Sequence, residues 1–242
     1  MKYALCISGQ PRFFEECGSR LMEFINSNNL DCDIFAHAWS TQDKYQGSSW
    51  TVDHQPYTDL RDRLISMYSP KKIFIEDQKD SWFKTQTKRI RKNTGAEPYI
   101  TASMFYSIHQ AAQLRRQYSQ ETGIKYDAVI RARYDYYLVE GNDHFIEPID
   151  DRTVYFVDVI NNKLVVCDYW MIGSEFVMRK VENSYFHMFK KNSLFKKKLP
   201  ICGEEVITDL INHNGLCRKG LNVLGGLMRD SHKTNQRFGK WQ

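Results

Sequence analysis

Three charged residues alternate at the end of an apolar segment, where Arg131, Arg133 and Asp135 follow one another in YDAVIRARYDYYL (126–138). The segment has the composition of a buried strand, and open α/β sheets bind ligands beyond the carboxyl ends of their strands. Guanidinium groups hold phosphate through paired hydrogen bonds, and carboxylate oxygen is a preferred ligand of Mg²⁺. The pattern predicts an exposed Asp135 carboxylate and chemistry on a phosphorylated ligand. A strand-end turn with a solvated arginine face is the structural alternative.

A second candidate site is the turn SGQPR (8–12), which follows the first apolar run of the chain. Gly9 lets the backbone approach a ligand, and Arg12 can reach a phosphate. The spacing matches neither the P-loop nor the GxGxxG dinucleotide pattern. We predict that Ser8, Gly9 and Arg12 bind a nucleotide, with a purely structural turn as the alternative.

The segments around these residues alternate between strand and helix patterns. Short apolar runs predict strands, and apolar residues at helical spacing predict helices. The predicted strands are 2–8, 33–39, 71–76 and 126–138, and the predicted helices are 13–28, 56–69 and 99–121. Because parallel neighbours need a crossover, this order predicts a mostly parallel sheet flanked by helices. The charged stretch 77–98 lacks periodicity and is predicted to be a long solvated loop.

The pattern changes beyond residue 138 to a mixed α+β layout. Short strands at 154–157 and 163–167 are predicted to form a hairpin, and helices are predicted at 174–191 and 203–214. Strands and helices no longer alternate regularly in this part of the chain. We therefore expect a mixed α+β region here, after a mostly parallel sheet in the first 138 residues.

Composition and charge limit the classes of function. The chain has 242 residues, 42% of them hydrophobic, with a net charge of +5, which fits a folded protein with anionic ligands. Its six cysteines form no CxxC pair, which favours a cytoplasmic protein with free thiols. The N-terminal apolar run is too short for a signal peptide, and no stretch approaches the roughly 20 apolar residues of a membrane span. Any membrane contact is expected to be peripheral.

Four segments in order resemble a group of small glycosyltransferases with a GT-A-like, nucleotide-diphospho-sugar-binding fold. They are CISGQPR (6–12), DIFAHAW (33–39), SMFYSIHQAAQL (103–114) and YDAVIRARYD (126–135). The resemblance covers residues 2–173 and continues more weakly beyond them. It implies a GT-A-like, Rossmann-like α/β fold of one continuous domain. Residues 1–138 would bind the nucleotide sugar, and residues 139–242 would form a mixed α+β acceptor side.

The resemblance also assigns a role to Asp135. In GT-A enzymes an Asp-x-Asp at the end of the central strand holds a divalent cation that neutralises the leaving diphosphate. Here Arg133 stands at the first of these positions. Asp135 is therefore expected to bind Mn²⁺ or Mg²⁺, with His232 as a second candidate ligand. Alternatively, Arg131 and Arg133 hold the phosphates themselves. Substitution of Asp135 by alanine is expected to abolish transfer and to leave the fold intact.

Four further residues are candidates for contacts with donor and acceptor. Ser103 and Tyr106 share one helix face, and the resemblance places that helix near the nucleotide, where Tyr106 would stack on the base. Packing against a neighbouring element is the alternative. Asp168 precedes two aromatic residues, a composition suited to sugar binding, and Glu204 lies at the start of a predicted helix. Either Asp168 or Glu204 is a candidate general base of an inverting enzyme.

The expected reaction is the transfer of a hexosyl or pentosyl group. The donor would be a nucleoside-diphosphate sugar such as a UDP-sugar, and the acceptor a hydroxyl of a glycan or of a lipid-linked saccharide. Basic residues at 190–198 and in the tail leave an anionic acceptor open, including nucleic acid with a hydroxymethylated base. Two other classes stay open, a nucleotidyltransferase on a related fold and a catalytically inactive nucleotide-sugar or glycan-binding module.

Overall fold

The structure is a computed structural model. It describes residues 1–46, 49–88, 98–138, 149–157, 166, 168–189, 203–221 and 225–227. His232, the basic stretch 190–198 and the predicted strand 163–167, apart from Val166, lie outside the described residues.

Eleven strands and seven helices are present in the described part of the chain. The strands are β1 Lys2–Gly9, β2 Asp31–Trp39, β3 Thr41–Gln46, β4 Ser49–Pro56, β5 Lys72–Glu76, β6 Ala128–Ala132, β7 Tyr136–Leu138, β8 Thr153–Val157, β9 Trp170–Gly173, β10 Cys217–Leu221 and β11 Gly225–Leu227. The helices are α1 Phe14–Ser27, α2 Leu60–Tyr68, α3 Asp80–Thr87, α4 Pro98–Thr122, α5 Glu175–Glu182, α6 Ser184–Phe189 and α7 Gly203–His213.

Seven of these strands form one sheet in the order β10-β8-β9-β6-β1-β2-β5. The neighbours β6, β1, β2 and β5 run parallel, as do β10 and β8. Strand β9 is antiparallel to both β6 and β8. The prediction of an α/β fold with a mostly parallel sheet is confirmed. Strands from both predicted halves of the chain join in this single sheet.

Helices cover both faces of the sheet, because the central strands are apolar on both sides. In β1, Leu5 and Ile7 pack with α1 and α2, whereas Ala4 and Cys6 pack with α4, α5 and α7. Such two-sided burial explains the near-continuous apolar run of β1. The parallel direction brings the carboxyl ends of β1, β2, β5 and β6 to one edge of the sheet, where both predicted phosphate-binding segments begin.

The predicted strand 126–138 is wrong as a single element. Strand β6 ends at Ala132, and β7 begins at Tyr136 and pairs with β11 in a separate two-stranded sheet. A short turn connects them, in which the Arg133 N–H donates to Tyr169 O at 3.1 Å. Because no glycine or proline marks this turn, the sequence carries no local sign of the break.

Three other element boundaries differ from the predictions. The predicted loop 77–98 contains α3, whose Phe83 is fully buried against α4, and residues 89–97 lie outside the described residues. The predicted helix 56–69 begins only at Leu60, after the antiparallel pair β3–β4. The predicted helix 174–191 is divided at Asn183 into α5 and α6. The remaining predicted helices and the strands β1, β2 and β5 lie close to their predicted bounds.

Candidate functional site

The carboxyl edge of the sheet carries a group of paired charges that we call the arginine–carboxylate cluster, namely Arg12, Arg133, Asp135 and Asp168. Arg133 donates from Nε to Asp135 Oδ1 and from Nη2 to Asp135 Oδ2, both at 2.8 Å. Arg12 Nη2 lies 3.2 Å from Asp135 Oδ2, and Arg133 Nη1 lies 3.5 Å from Asp168 Oδ2. Residues from three separated segments thus converge on Asp135 and Arg133.

Asp135 is buried, not exposed as the sequence pattern predicted. Only 2% of the residue is exposed, because the turn after β6 folds the carboxylate back onto the guanidinium of Arg133. Burial alone would raise the pKa of Asp135, but the charges of Arg133 and Arg12 outweigh it and hold that pKa below its usual range. Burial likewise opposes the charge on Arg133, whose pKa is nevertheless raised by Asp135 and Asp168. Arg133 and Asp135 are therefore both ionised at neutral pH.

The surroundings of Asp135 do not fit Mn²⁺ or Mg²⁺. Both carboxylate oxygens already accept guanidinium hydrogen bonds. At an effective dielectric constant of about 20, two unit charges about 4 Å apart interact by roughly 4 kcal/mol, so each guanidinium at that distance would repel a divalent ion by roughly 8 kcal/mol and cancel the attraction of one carboxylate. No three His, Cys, Asp or Glu side chains of the described residues form a group that could hold a metal. The second predicted ligand, His232, lies outside that part of the chain.

Asp168 and the start of α7 lie beside each other, and their roles on the acceptor side stay predictions. Asp168 is 4% exposed, and its Oδ1 has no hydrogen-bond partner among the described residues. A Cβ atom placed on Gly203 would lie 3.4 Å from Asp168 Oδ2, so the first residue of α7 touches this carboxylate. The positive end of the α7 dipole favours the negative charge there. Glu204, the next residue, is half-buried.

The SGQPR turn lies at the same edge, where the conformation of Gly9 and a hydrogen bond from Tyr57 shape its backbone. Gly9 has φ of +122°, a conformation that glycine adopts without strain. Ser8 is buried, and its Oγ has no hydrogen-bond partner in the described part of the structure. Tyr57 donates from its hydroxyl to Pro11 O at 2.5 Å. These contacts direct Arg12 towards Asp135.

An amide network at this edge was missed by the sequence analysis. Gln10 donates from Nε2 to Gln78 Oε1 at 3.0 Å, and Gln78 Nε2 donates to Ser103 Oγ at 3.0 Å. The network joins the SGQPR turn, the segment after β5 and the first part of α4. Gln10 had a usable signal, since it lies between two predicted nucleotide-binding residues, whereas nothing in the sequence distinguished Gln78.

Tyr106 lies in a packed aromatic and charged group next to this network. Its ring stacks on Trp39, with centroids 5.8 Å apart, and Lys79 Nζ lies 5.1 Å from the ring centroid. Its hydroxyl accepts a hydrogen bond from Lys79 Nζ at 3.1 Å. These contacts favour the packing alternative for Tyr106, and stacking on a base stays a prediction.

Ser107, His37 and Glu76 have the order of a hydrolytic triad, but not its accessibility. His37 Nδ1 lies 2.6 Å from Ser107 Oγ, and His37 Nε2 lies 3.1 Å from Glu76 Oε1. Both Ser107 and His37 are 0% exposed. Burial lowers the pKa of His37, although Glu76 opposes the shift. The group joins β2, β5 and α4, and His37 is a buried histidine with a partner at each ring nitrogen.

Arg131 is also buried, with 1% of the residue exposed, and not part of a solvated strand face. It is the second-last residue of β6, with Cys6 and Met171 as its neighbours on the adjacent strands. Its backbone therefore lies within the sheet, two residues before Arg133.

No protein-family profile matches this sequence, and no curated protein matches it significantly. Solved structures with a similar fold include the apo-form glycosyltransferase GlyE of Streptococcus pneumoniae TIGR4, with 8% identity and a TM-score of 0.42. The match covers 90% of this chain and 45% of GlyE, so the chain spans less than half of that protein.

Two other solved structures show a comparable degree of similarity. The galactosyltransferase LgtC, solved with donor and acceptor sugar analogues, has 8% identity and a TM-score of 0.42 over 90% of this chain and 73% of its own. The inositol-1-phosphate CTP transferase of T. maritima has 11% identity and a TM-score of 0.44 over 98% of this chain and 93% of its own. At these identities the similarities concern the fold, and the case for an activity depends on the site.

No helix among the described residues is long and apolar enough to cross a membrane. The cysteines within that part of the chain, Cys6, Cys17, Cys32 and Cys217, are all free thiols.

Proposed function

We propose that the chain is a glycosyltransferase that moves a hexosyl or pentosyl group from a nucleoside-diphosphate sugar to a hydroxyl. The observation that supports this most strongly is the arginine–carboxylate cluster. Two guanidinium groups from different segments meet at the carboxyl edge of a parallel sheet, the usual ligand edge of such sheets, next to a second carboxylate.

The guanidinium groups would act on the leaving group. When the bond between the anomeric carbon and the donor phosphate breaks, its electron pair goes to the diphosphate oxygen. Positive groups fixed before the reaction stabilise such developing charge most effectively. Arg133 and Arg12 occupy fixed positions because Asp135 holds both, and Arg131, which is buried two residues before Arg133, would add a third positive charge.

The acceptor hydroxyl would attack the anomeric carbon and lose its proton to a carboxylate. Asp168 and Glu204 are the two candidates. The 3.5 Å contact between Arg133 and Asp168 is at the outer limit of a hydrogen bond, so a donor phosphate oxygen can replace it. The exchange would free Asp168 as general base at the moment the donor is in place.

The nucleotide itself would lie against the first part of the chain. Ser8 and Gly9 offer a close backbone approach, and the linked side chains of Gln10, Gln78 and Ser103 offer amide and hydroxyl groups for the ribose and the base. Tyr106 borders this region from α4.

The test is donor turnover across a panel of nucleoside-diphosphate sugars, with and without simple saccharide acceptors. Released nucleoside diphosphate supports the proposal, with Asp168→Asn and Glu204→Gln distinguishing the two candidate bases. Release of pyrophosphate from a nucleoside triphosphate and a sugar phosphate would instead show a nucleotidyltransferase. Binding without any turnover would show an inactive binding module.

We propose a glycan hydroxyl as the acceptor, because an aspartate followed by aromatic residues suits sugar recognition, and the ring of Tyr169, the residue after Asp168, lies against Arg133 of the cluster. A nucleic acid acceptor would give binding that weakens steeply as salt increases. The basic residues 190–198 that raised this alternative lie outside the described residues.

A further inference from the structure

We infer that this chain binds the donor diphosphate through Arg12 and Arg133 without a divalent cation, and that Asp135 is a positioning residue for both arginines. The inference rests on the proposed function and deepens it, because it replaces the metal expected at Asp135 by the chain's own guanidinium groups.

Both carboxylate oxygens of Asp135 are already bound by arginine side chains. Its two oxygens accept from Arg133 Nε and Nη2 at 2.8 Å, and Arg12 Nη2 lies 3.2 Å from the second of them. A carboxylate that serves as a metal ligand must direct a lone pair at the ion. Here the carboxylate directs its oxygens at two positive side chains and is itself 2% exposed.

The guanidinium of Arg133 is held in one orientation by its neighbours. One edge of its guanidinium, formed by Nε and Nη2, is bonded to Asp135, so Nη1 is turned towards Asp168. The plane is also supported by the Tyr169 ring, whose centroid lies 5.4 Å from Arg133 Cζ. A guanidinium fixed at one edge and along one face presents its remaining N–H groups in a single direction, as phosphate recognition requires.

The two arginines belong to turns that follow neighbouring strands of the sheet. Arg12 comes from the turn after β1, and Arg133 comes from the turn after β6, which is the neighbouring parallel strand. Asp135 joins these turns across the sheet edge. A diphosphate has two groups of anionic oxygens, and two arginines on adjacent strand ends can each contact one of them.

The decisive experiment measures binding of UDP, GDP, ADP and CDP to the full chain by calorimetry, in EDTA and in Mn²⁺. We expect at least one nucleotide to bind with a Kd that changes by no more than about twofold between the two conditions. Binding that needs Mn²⁺ would overturn the inference and leave the proposed function standing. Failure of all four nucleotides to bind in either condition would overturn the proposed function instead.

Variants test the arginines separately from the fold. Arg12→Gln and Arg133→Gln should each weaken binding of the same nucleotide by about tenfold or more, and Mn²⁺ should not restore it. Arg152→Gln, an exposed arginine before β8 at the opposite edge of the sheet, is the matched control and should bind as the wild type does. Unchanged affinity in a folded Arg12→Gln variant would refute the inference, even if Arg133→Gln failed to fold.

The nucleotide affinity of Asp135→Asn distinguishes a positioning residue from a metal ligand. Asp135→Asn removes the charge that aligns both arginines, so nucleotide affinity should fall equally in EDTA and in Mn²⁺. If Asp135 were a metal ligand, the wild type would show a Mn²⁺-dependent gain in affinity that Asp135→Asn lacks. Circular dichroism of the variant establishes that it is folded before affinities are compared.

Discussion

Arg133 and Asp135 bond to each other through two hydrogen bonds of 2.8 Å, although only one residue separates them in the chain. The pair closes the turn between β6 and β7, so a single contact shapes the backbone and fixes the charge that the proposed chemistry uses. The fold and the proposed function therefore depend on the same two side chains.

Substitution of Asp135 by alanine should destabilise the protein. Removal of one partner of a buried ion pair typically costs about 3 to 5 kcal/mol, because the remaining charge is left uncompensated. Urea unfolding of Asp135→Ala should show this loss, which contradicts the sequence-based expectation of an intact fold. Exposed Asp151→Ala is the control and should stay near wild type. An unchanged unfolding midpoint for Asp135→Ala would disprove the structural role.

Asp168→Asn should leave the stability of the protein nearly unchanged and should reduce the rate of transfer. Asp168 has one 3.5 Å contact to Arg133 and one oxygen without a partner among the described residues, so its loss should change the free energy of unfolding by less than about 1 kcal/mol. If it is the general base, the rate of transfer should fall by about 10²- to 10⁴-fold. Rate and urea stability measured on one preparation test both points. A large rate loss in Glu204→Gln alone would move the role to Glu204.

Stability should fall in acid because of Glu76 and His37. Burial opposes the charge of Glu76, but hydrogen bonds from His37 and Lys79 outweigh it and lower its pKa from 4.5 to about 2. A lowered carboxyl pKa stabilises the fold above 4.5, and this stabilisation is lost as the pH falls towards 2. The lowered pKa of His37 adds a loss that begins below 6.5, where the unfolded chain takes up its proton.

The measurement for this prediction is the thermal midpoint as a function of pH. Glu76→Gln should remove roughly 2 kcal/mol of the pH-dependent free energy of unfolding below pH 4.5, allowing for partial solvent screening of the pair, and should flatten that part of the curve. Glu16→Gln changes the same kind of side chain at an exposed position of α1 and should retain the wild-type curve. A steep acid transition that persists in Glu76→Gln would assign the effect to other groups.

Gly9→Ala should destabilise the fold and weaken nucleotide binding together. A φ of +122° is strained for alanine and costs about 1 to 3 kcal/mol, and the same turn carries Arg12. Gly123→Ala provides the matched comparison, since Gly123 also has a positive φ, of +75°, but follows α4 at the far end of that helix. It should lower stability without changing affinity. Equal losses of affinity in the two variants would mean that the turn after β1 does not contact the nucleotide.

Elements with strong local patterns were predictable from the sequence, and their interruptions were not. The apolar run of β1 and the helical spacing in α1 and α4 are visible without tertiary information. Helix α3 depends on Phe83 packing against α4, a contact that local periodicity does not reveal. The break in 126–138 results from the Arg133–Asp135 bonds and from pairing of β7 with β11, which joins parts of the chain far apart in sequence.

In the candidate site, too, local sequence indicated which residues take part but not how they contact one another. Residue types and strand ends placed Arg12, Arg133 and Asp135 at one edge correctly, whereas the contact of Asp168 with this group was not predicted. Their mutual distances were not accessible, because whether a carboxylate at a strand end meets solvent or an arginine depends on side chains from other segments. Burial of Asp135 between two guanidinium groups is therefore a property of the tertiary structure and not of its motif.

The pairing of β7 with β11 also ties two distant parts of the chain together next to the cluster. Leu227 lies opposite Tyr136, the residue directly after Asp135. A protein truncated before Gly225 would lose the strand that β7 pairs with, and with it the support of the backbone beside the carboxylate that holds both arginines.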